Sequence, residues 1–273
     1  MLQSLLVFLK GLWIGGTMTV PGVSGGSMAM ILGIYNRLIS AIASFRKDVK
    51  QNTLFLLKFV AGAIIGIVLF SKFILEPLLN LFPMPVSYFF LGAVAGGVPM
   101  IYRTAGVKRF NLAAILYPVI GIILVLLISL LPEGLFTPHD GFSIGEFFLQ
   151  ILGGIIIAIA LILPGISVSQ MLLMLGLYTE LIAAINTANV LPFIPLAIGI
   201  VIGTLACAKF MEKAMQKFPQ QTYLIVFGFL LGSLPKLFPG IPAGWDIPLC
   251  LVTFAVGFAA IYCLQRFESN RTA

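Results

Sequence analysis

Apolar runs about as long as a helix needs to cross a hydrocarbon core recur along this chain, among them residues 54–70, 112–131 and 247–264. Inside lipid, every backbone N–H and C=O must find a partner within the protein, so only helices and closed barrels cross. A barrel would be written as short alternating segments, and the sequence shows none. Composition agrees: 60% of residues are hydrophobic, 9% are charged and the mean hydropathy is +1.12, a surface no water-soluble domain of this length tolerates. The expected class is an all-α integral membrane protein with one membrane domain.

The net charge of +7 does not point to nucleic acid, because the lysines and arginines stand in short loops between apolar runs and form no patch. Cys207, Cys250 and Cys263 lie in apolar stretches without C-x-x-C spacing, so they read as small buried side chains, and no metal site is expected. The stretch MLQSLLVFLKGLWIGG looks like a secretory leader, but Lys10 interrupts it and no A-x-A site follows. It is expected to stay attached.

The chain repeats itself. VPGVSGGSMAMILGIYNRLISAI (residues 20–42) aligns with LPGISVSQMLLMLGLYTELIAAI (residues 163–185), and half of the positions from Pro21 to Ile42 are identical without a gap. After a shorter loop the likeness continues: Gly62 and Gly66 match Gly199 and Gly203, and Phe82-Pro83 matches Phe218-Pro219. Gly92, Gly96 and Gly121 match Gly228, Gly232 and Gly257. Repeat one is assigned to residues 1–137, an outer connector to 138–143 and repeat two to 144–273. In repeat one, apolar arms 4–20 and 26–45 form a broken or re-entrant hairpin, followed by membrane segments 53–75, 86–102 and 111–131. Either form of the hairpin gives each repeat an odd number of crossings, so the second copy is expected upside down.

Charge supports that topology, since Lys and Arg concentrate in cytoplasmic loops. Loop 46–52 carries Arg46, Lys47 and Lys50, and loop 103–110 carries Arg103, Lys108 and Arg109; the loop between them holds only Glu76. Connector 132–146 has Glu133, His139, Asp140 and Glu146 but no Lys or Arg, which assigns it outside. Lys209, Lys213 and Lys217 then fall inside, the Lys236/Asp246 loop outside, and both termini in the cytoplasm.

Each repeat is interrupted by Pro-Gly-x-Ser, as Pro21-Gly22-Val23-Ser24-Gly25-Gly26-Ser27 and Pro164-Gly165-Ile166-Ser167-Val168-Ser169-Gln170. Proline ends the preceding helix, glycine admits positive φ, and serine starts a new helix. Such irregular backbone is tolerated in a membrane only where protein or a wet cavity covers it. Helix N-termini expose N–H groups and a positive dipole end, so two of them meeting near mid-depth would suit an anion, as in transporters built from inverted repeats. Ser24, Ser27, Ser167 and Ser169 would add hydroxyls and Gln170 an amide. The competing reading is that small residues merely let helices pack closely. Arg37 and Glu180, at equivalent positions in apolar surroundings, either act on the ligand or snorkel to the interface. His139 reads as a solvated loop residue.

At VPGVSGGSMAMILGIYNRLI and LPGISVSQMLLMLGLYTELI the sequence resembles the polyprenyl-phosphate transporter family, over nearly its whole length. The resemblance implies return of undecaprenyl phosphate, the lipid carrier of cell-wall precursors, across the bacterial cytoplasmic membrane, on a fold of inverted repeats with re-entrant hairpins. The family's motif residues fall here on Pro21, Gly22, Ser24, Gly25, Gly26, Pro164, Gly165 and Ser167. Many relatives have an aspartate where Thr19 stands and a glycine where Val168 stands, so roles resting on those residues do not transfer. The expected partners are a polyprenyl-phosphate substrate and membrane lipids, with no cofactor; any energy input would come from a proton or sodium gradient. Two alternatives stand beside it. A secondary transporter of a small soluble anion would use the same helix ends. An isoprenoid-diphosphate phosphatase is disfavoured, because no acid, histidine or arginine follows either motif within ten residues, and no catalytic residue is assigned.

Overall fold

The computed structural model describes the backbone of all residues except Met1, Thr19, Pro21, Gly22, 108–111, Glu133, 135–143, Thr179, Glu180, 182–190 and Ala273. The side chains of Leu2, Ser71, Ile144 and 268–272 also lie outside the description.

The described residues form helices joined by short loops, with no strand among them. α1 (Leu2–Thr17) precedes two short helices, α2 (Gly25–Ile31) and α3 (Tyr35–Ala43), which bend by 116° at Gly33. A rod follows: α4 (Val49–Ile65), a π-helical stretch (Gly66–Leu75) and α5 (Glu76–Leu81). Then come α6 (Pro83–Thr104), α7 (Leu112–Ser129), α8 (Ile144–Ile162), α9 (Val168–Met174), α10 (Ile194–Lys217), α11 (Pro219–Leu237) and α12 (Asp246–Thr272). Six of the described spans are long and apolar enough to cross a membrane. Their outward faces carry large apolar side chains such as Leu112, Phe210 and Leu251, each about two-thirds exposed or more, which only lipid can solvate. The protein is a multi-pass membrane protein.

The rod is longer than the segment expected at 53–75, because Phe82 and Pro83 rather than polarity end it. The segment expected at 26–45 is divided at Gly33, whose φ of 67° no other residue adopts readily. The likeness between the repeats extends to this backbone detail. Gly176, the counterpart of Gly33, has φ 71°, and the hydrogen bonds Gly33 N–H to Met30 and Ile34 N–H to Ala29 recur as Gly176 to Leu173 and Leu177 to Leu172. Phe82 and Phe218 stand before their prolines at φ −138° and −133°.

Glycines bring helix backbones into contact and reveal their register. Gly11 lies against Phe59 and Gly15 against Ala63, so α1 and α4 run parallel. Gly199 against Ile151 and Gly203 against Ile155 make α8 and α10 parallel in the same way. α6 pairs with α12 through Gly92 on the Phe254 carbonyl and Gly96 on that of Phe258; α7 pairs with α11 through Gly228 on the Pro118 carbonyl and Gly232 beside Ile122. These are one contact made twice, since Gly228 is the counterpart of Gly92 and Pro118 occupies the place of Phe254.

The rod also sets the depth of the first break. α1 stops beside Gly66 and Phe70, roughly 25 Å along the rod from Val49 at 1.5 Å per residue, with about 22 Å still to run to Leu81. The chain then turns back, since α4 starts again beside the beginning of α1. The first hairpin therefore turns back midway along the rod.

Candidate functional site

Ser24 begins α2 with an extended backbone (φ −102°, ψ 143°), and its hydroxyl accepts the Ser27 N–H at 3.1 Å, the expected way to satisfy a helix's first unpaired donor. The two serine oxygens are 2.8 Å apart. Into this pair comes the second hairpin: the Gly165 N–H is shared between Ser24 Oγ at 2.9 Å and Ser27 Oγ at 2.8 Å. Gly26 packs on the backbone of Pro164, where a Cβ would stand 3.1 Å from the Pro164 backbone, closer than ordinary contact. Gly165 has φ 83°, and a Cβ there would stand 2.2 Å from the carbonyl oxygen of Phe229 on α11. Both sides of the junction therefore depend on glycine.

Donor counting assigns the protons. A hydroxyl has one proton and two lone pairs. The Ser27 and Gly165 N–H groups occupy both lone pairs of Ser24, so Ser24 must donate to Ser27. Ser27 then accepts from Ser24 and Gly165 and keeps one proton unassigned. Both serines are buried, at 6% and 4% exposure, so the junction is dry. Its four donors are two amides and two hydroxyls, and all but the Ser27 hydroxyl proton are taken up within the junction.

Side chains not singled out by the sequence lock the hairpins in place. Tyr35, at the turn of the first hairpin, donates through its hydroxyl to the Ile162 carbonyl at 2.9 Å, at the end of α8. The C-terminal end of α2 is closed by Lys10, donating to the Leu32 carbonyl at 2.7 Å, and by Gln265 of α12, donating to the Ile31 carbonyl at 2.6 Å. Lys10, which interrupts the first apolar run, thus complements a helix C-terminus. The identity of Tyr35 with Tyr178 in the other repeat was the available signal for that tyrosine.

Of the residues expected at the site, Ser24, Gly25, Gly26, Ser27, Pro164 and Gly165 converge. Gly25 packs on Met18. Ser167 begins α9 without a side-chain cap bond, Ser169 is exposed, and Gln170 accepts a hydrogen bond from the Lys236 ammonium of α11. Arg37 sits apart on α3, exposed, with its guanidinium 4.9 Å from the Phe55 ring centre in a cation–π contact. Pro21, Gly22 and Glu180 lie outside the described residues, as does His139.

Beside the first hairpin, α1, the π-helical stretch, α5, α6 and α12 enclose an apolar groove of about 450 Å³ lined by Trp13, Phe70, Leu75, Val86, Phe89 and Phe90, among others. That volume is within the usual range for ligand pockets. Its wall meets the break directly, since the Phe70 ring packs on Gly16. The π-helix widens the turn here, a distortion frequent at functional sites.

Comparison with known proteins bears on this geometry. The model of the undecaprenyl phosphate translocase-like family matches residues 14–243. A polyprenyl-phosphate transporter of Staphylococcus aureus is 30% identical over 96% of both chains. One of Vibrio cholerae is 30% identical over 86% of this chain and 78% of its own. No solved structure matches.

Proposed function

The chain belongs to the undecaprenyl phosphate translocase-like family, a family of transporters and not of enzymes, and on that premise we propose that it carries undecaprenyl phosphate across the bacterial cytoplasmic membrane, returning the lipid carrier for cell-wall synthesis. The observation that carries the reading is the junction in which Ser24 and Ser27 hold the Gly165 amide. Serine is suited to an exchange here because its hydroxyl both accepts and donates. When the hairpins part, the Gly165 amide is released and the two serine hydroxyls can turn to donate to phosphoryl oxygens. The junction thus closes on itself between cycles and needs no buried cation to remain stable. The prenyl tail rests in the apolar groove alongside. Because lipid is as apolar as the groove, that contact contributes shape selection rather than a hydrophobic gain.

The proposal includes two repeats of opposite orientation, bounded as the sequence divides them, with both termini cytoplasmic. Its support is the register of the helix pairs. The seven-residue connection 105–111 suits antiparallel neighbours, so α6 opposes α7. α11, the counterpart of α6, runs parallel with α7 and hence opposite to α6. Alternation between the two leaflets then follows from swapping the roles of the two hairpins.

The test is binding of a polyprenyl monophosphate to protein in nanodiscs, in competition with inorganic phosphate. Displacement only by the lipid supports the reading. Equal displacement by inorganic phosphate would favour a transporter of small anions.

A further inference from the structure

We infer that Lys236 is the cationic receptor for the phosphate headgroup on the side of the second hairpin, held ready by Gln170. The inference deepens the proposed function and rests on it. Lys236 donates through its ammonium to Gln170 Oε1, in the first turn of α9, beside the exposed Ser169. α11 links this pair to the junction: Phe229 touches Gly165, and Lys236 stands seven residues farther on, roughly 10 Å along the helix. Its ammonium thereby reaches a residue of the second motif directly.

Charge makes such a residue necessary. A phosphate monoester carries about −1.5 to −2 at neutral pH, and the junction's amides and hydroxyls are neutral. The amide oxygen of Gln170 is a neutral, exchangeable partner for the ammonium. A phosphoryl oxygen replaces it with a bond in which both donor and acceptor carry charge. The first hairpin has no match for this arrangement: the counterparts of Gln170 and Lys236 are Ser27, closed on Gly165, and Met100. The two ends of the route are therefore unlike. One captures the headgroup by charge, and the other meets it with the neutral hydroxyls of Ser24 and Ser27. The loops assign the Lys236 end to the outside, so the chemistry favours loading from the outer leaflet.

The experiment measures binding of polyprenyl monophosphate and of uncharged polyprenol to the full chain in nanodiscs, for wild type, K236Q, K236R and Q170E. Lys236→Gln should weaken monophosphate binding about tenfold or more, the scale of one lost bond to a charged group, and leave polyprenol unchanged. Lys236→Arg should stay within about threefold of wild type, since it keeps the charge. Gln170→Glu should weaken the monophosphate by competing for the ammonium. Wild-type affinity in K236Q, or equal losses for both lipids, would overturn the assignment. Failure of the wild type itself to bind the monophosphate would instead overturn the proposed function.

Discussion

The junction between the hairpins makes a quantitative prediction about its two serines. In Ser27→Ala, the Gly165 N–H keeps its bond to Ser24, so unfolding stability should fall by only about 0.5–1.5 kcal/mol. Ser24→Ala also removes the cap on the Ser27 N–H, which adds about 1 kcal/mol. The double variant leaves a buried Gly165 N–H with no acceptor, and an orphaned buried donor costs about 1–3 kcal/mol. The double mutant should therefore be less stable than the sum of the singles by about 1 kcal/mol or more, a coupling characteristic of a shared partner. Denaturant unfolding in mixed micelles, read by tryptophan fluorescence, measures all four corners of the cycle. Strict additivity would refute the reasoning, because it would mean that the two serines do not share the Gly165 amide.

Three further outcomes follow. Tyr35→Phe strands the Ile162 carbonyl and should cost about 1–3 kcal/mol in the same unfolding assay, with monophosphate selectivity over polyprenol unchanged. Val86→Trp, which fills the groove, should weaken binding of long polyprenyl phosphates severalfold while sparing one with a two-isoprene tail; equal losses for both would remove the tail from the groove. Gly92→Leu should separate α6 from α12 and lower stability by several kcal/mol, because the new side chain meets the Phe254 carbonyl within a close backbone contact, and expression with a normal unfolding midpoint would contradict that register.

The repeat and the two Pro-Gly-x-Ser breaks were legible because duplication, proline and glycine leave marks in one-dimensional text. Even the turn at Gly33 repeats at Gly176. What the text did not hold was the use of the polar groups. Ser24 and Ser27 read as donors awaiting a ligand, yet they accept the Gly165 amide, a contact 141 residues away that no local pattern encodes. Arg37 was equally ambiguous, since a helix position late in an apolar run fits both a site and an interface; the bend at Gly33 carries it to Phe55 instead. Lys236 looked like a loop charge because periodicity locates helix ends poorly, whereas α11 extends through it and past Pro235. The groove was invisible because it depends on a π-helical stretch, a departure from regular geometry with no sequence period of its own.

Everything turns on the hairpin junction being the path of the headgroup. The most direct measurement is leaflet-resolved movement of a fluorescent polyprenyl phosphate in proteoliposomes, comparing wild type with Gly165→Val. Valine at a φ of 83° and 2.2 Å from the Phe229 carbonyl cannot keep this backbone approach. The wild type should speed exchange between leaflets, and the variant, inserted in the same topology, should fall to the protein-free rate. Wild-type exchange by Gly165→Val would place the route somewhere other than between these two hairpins.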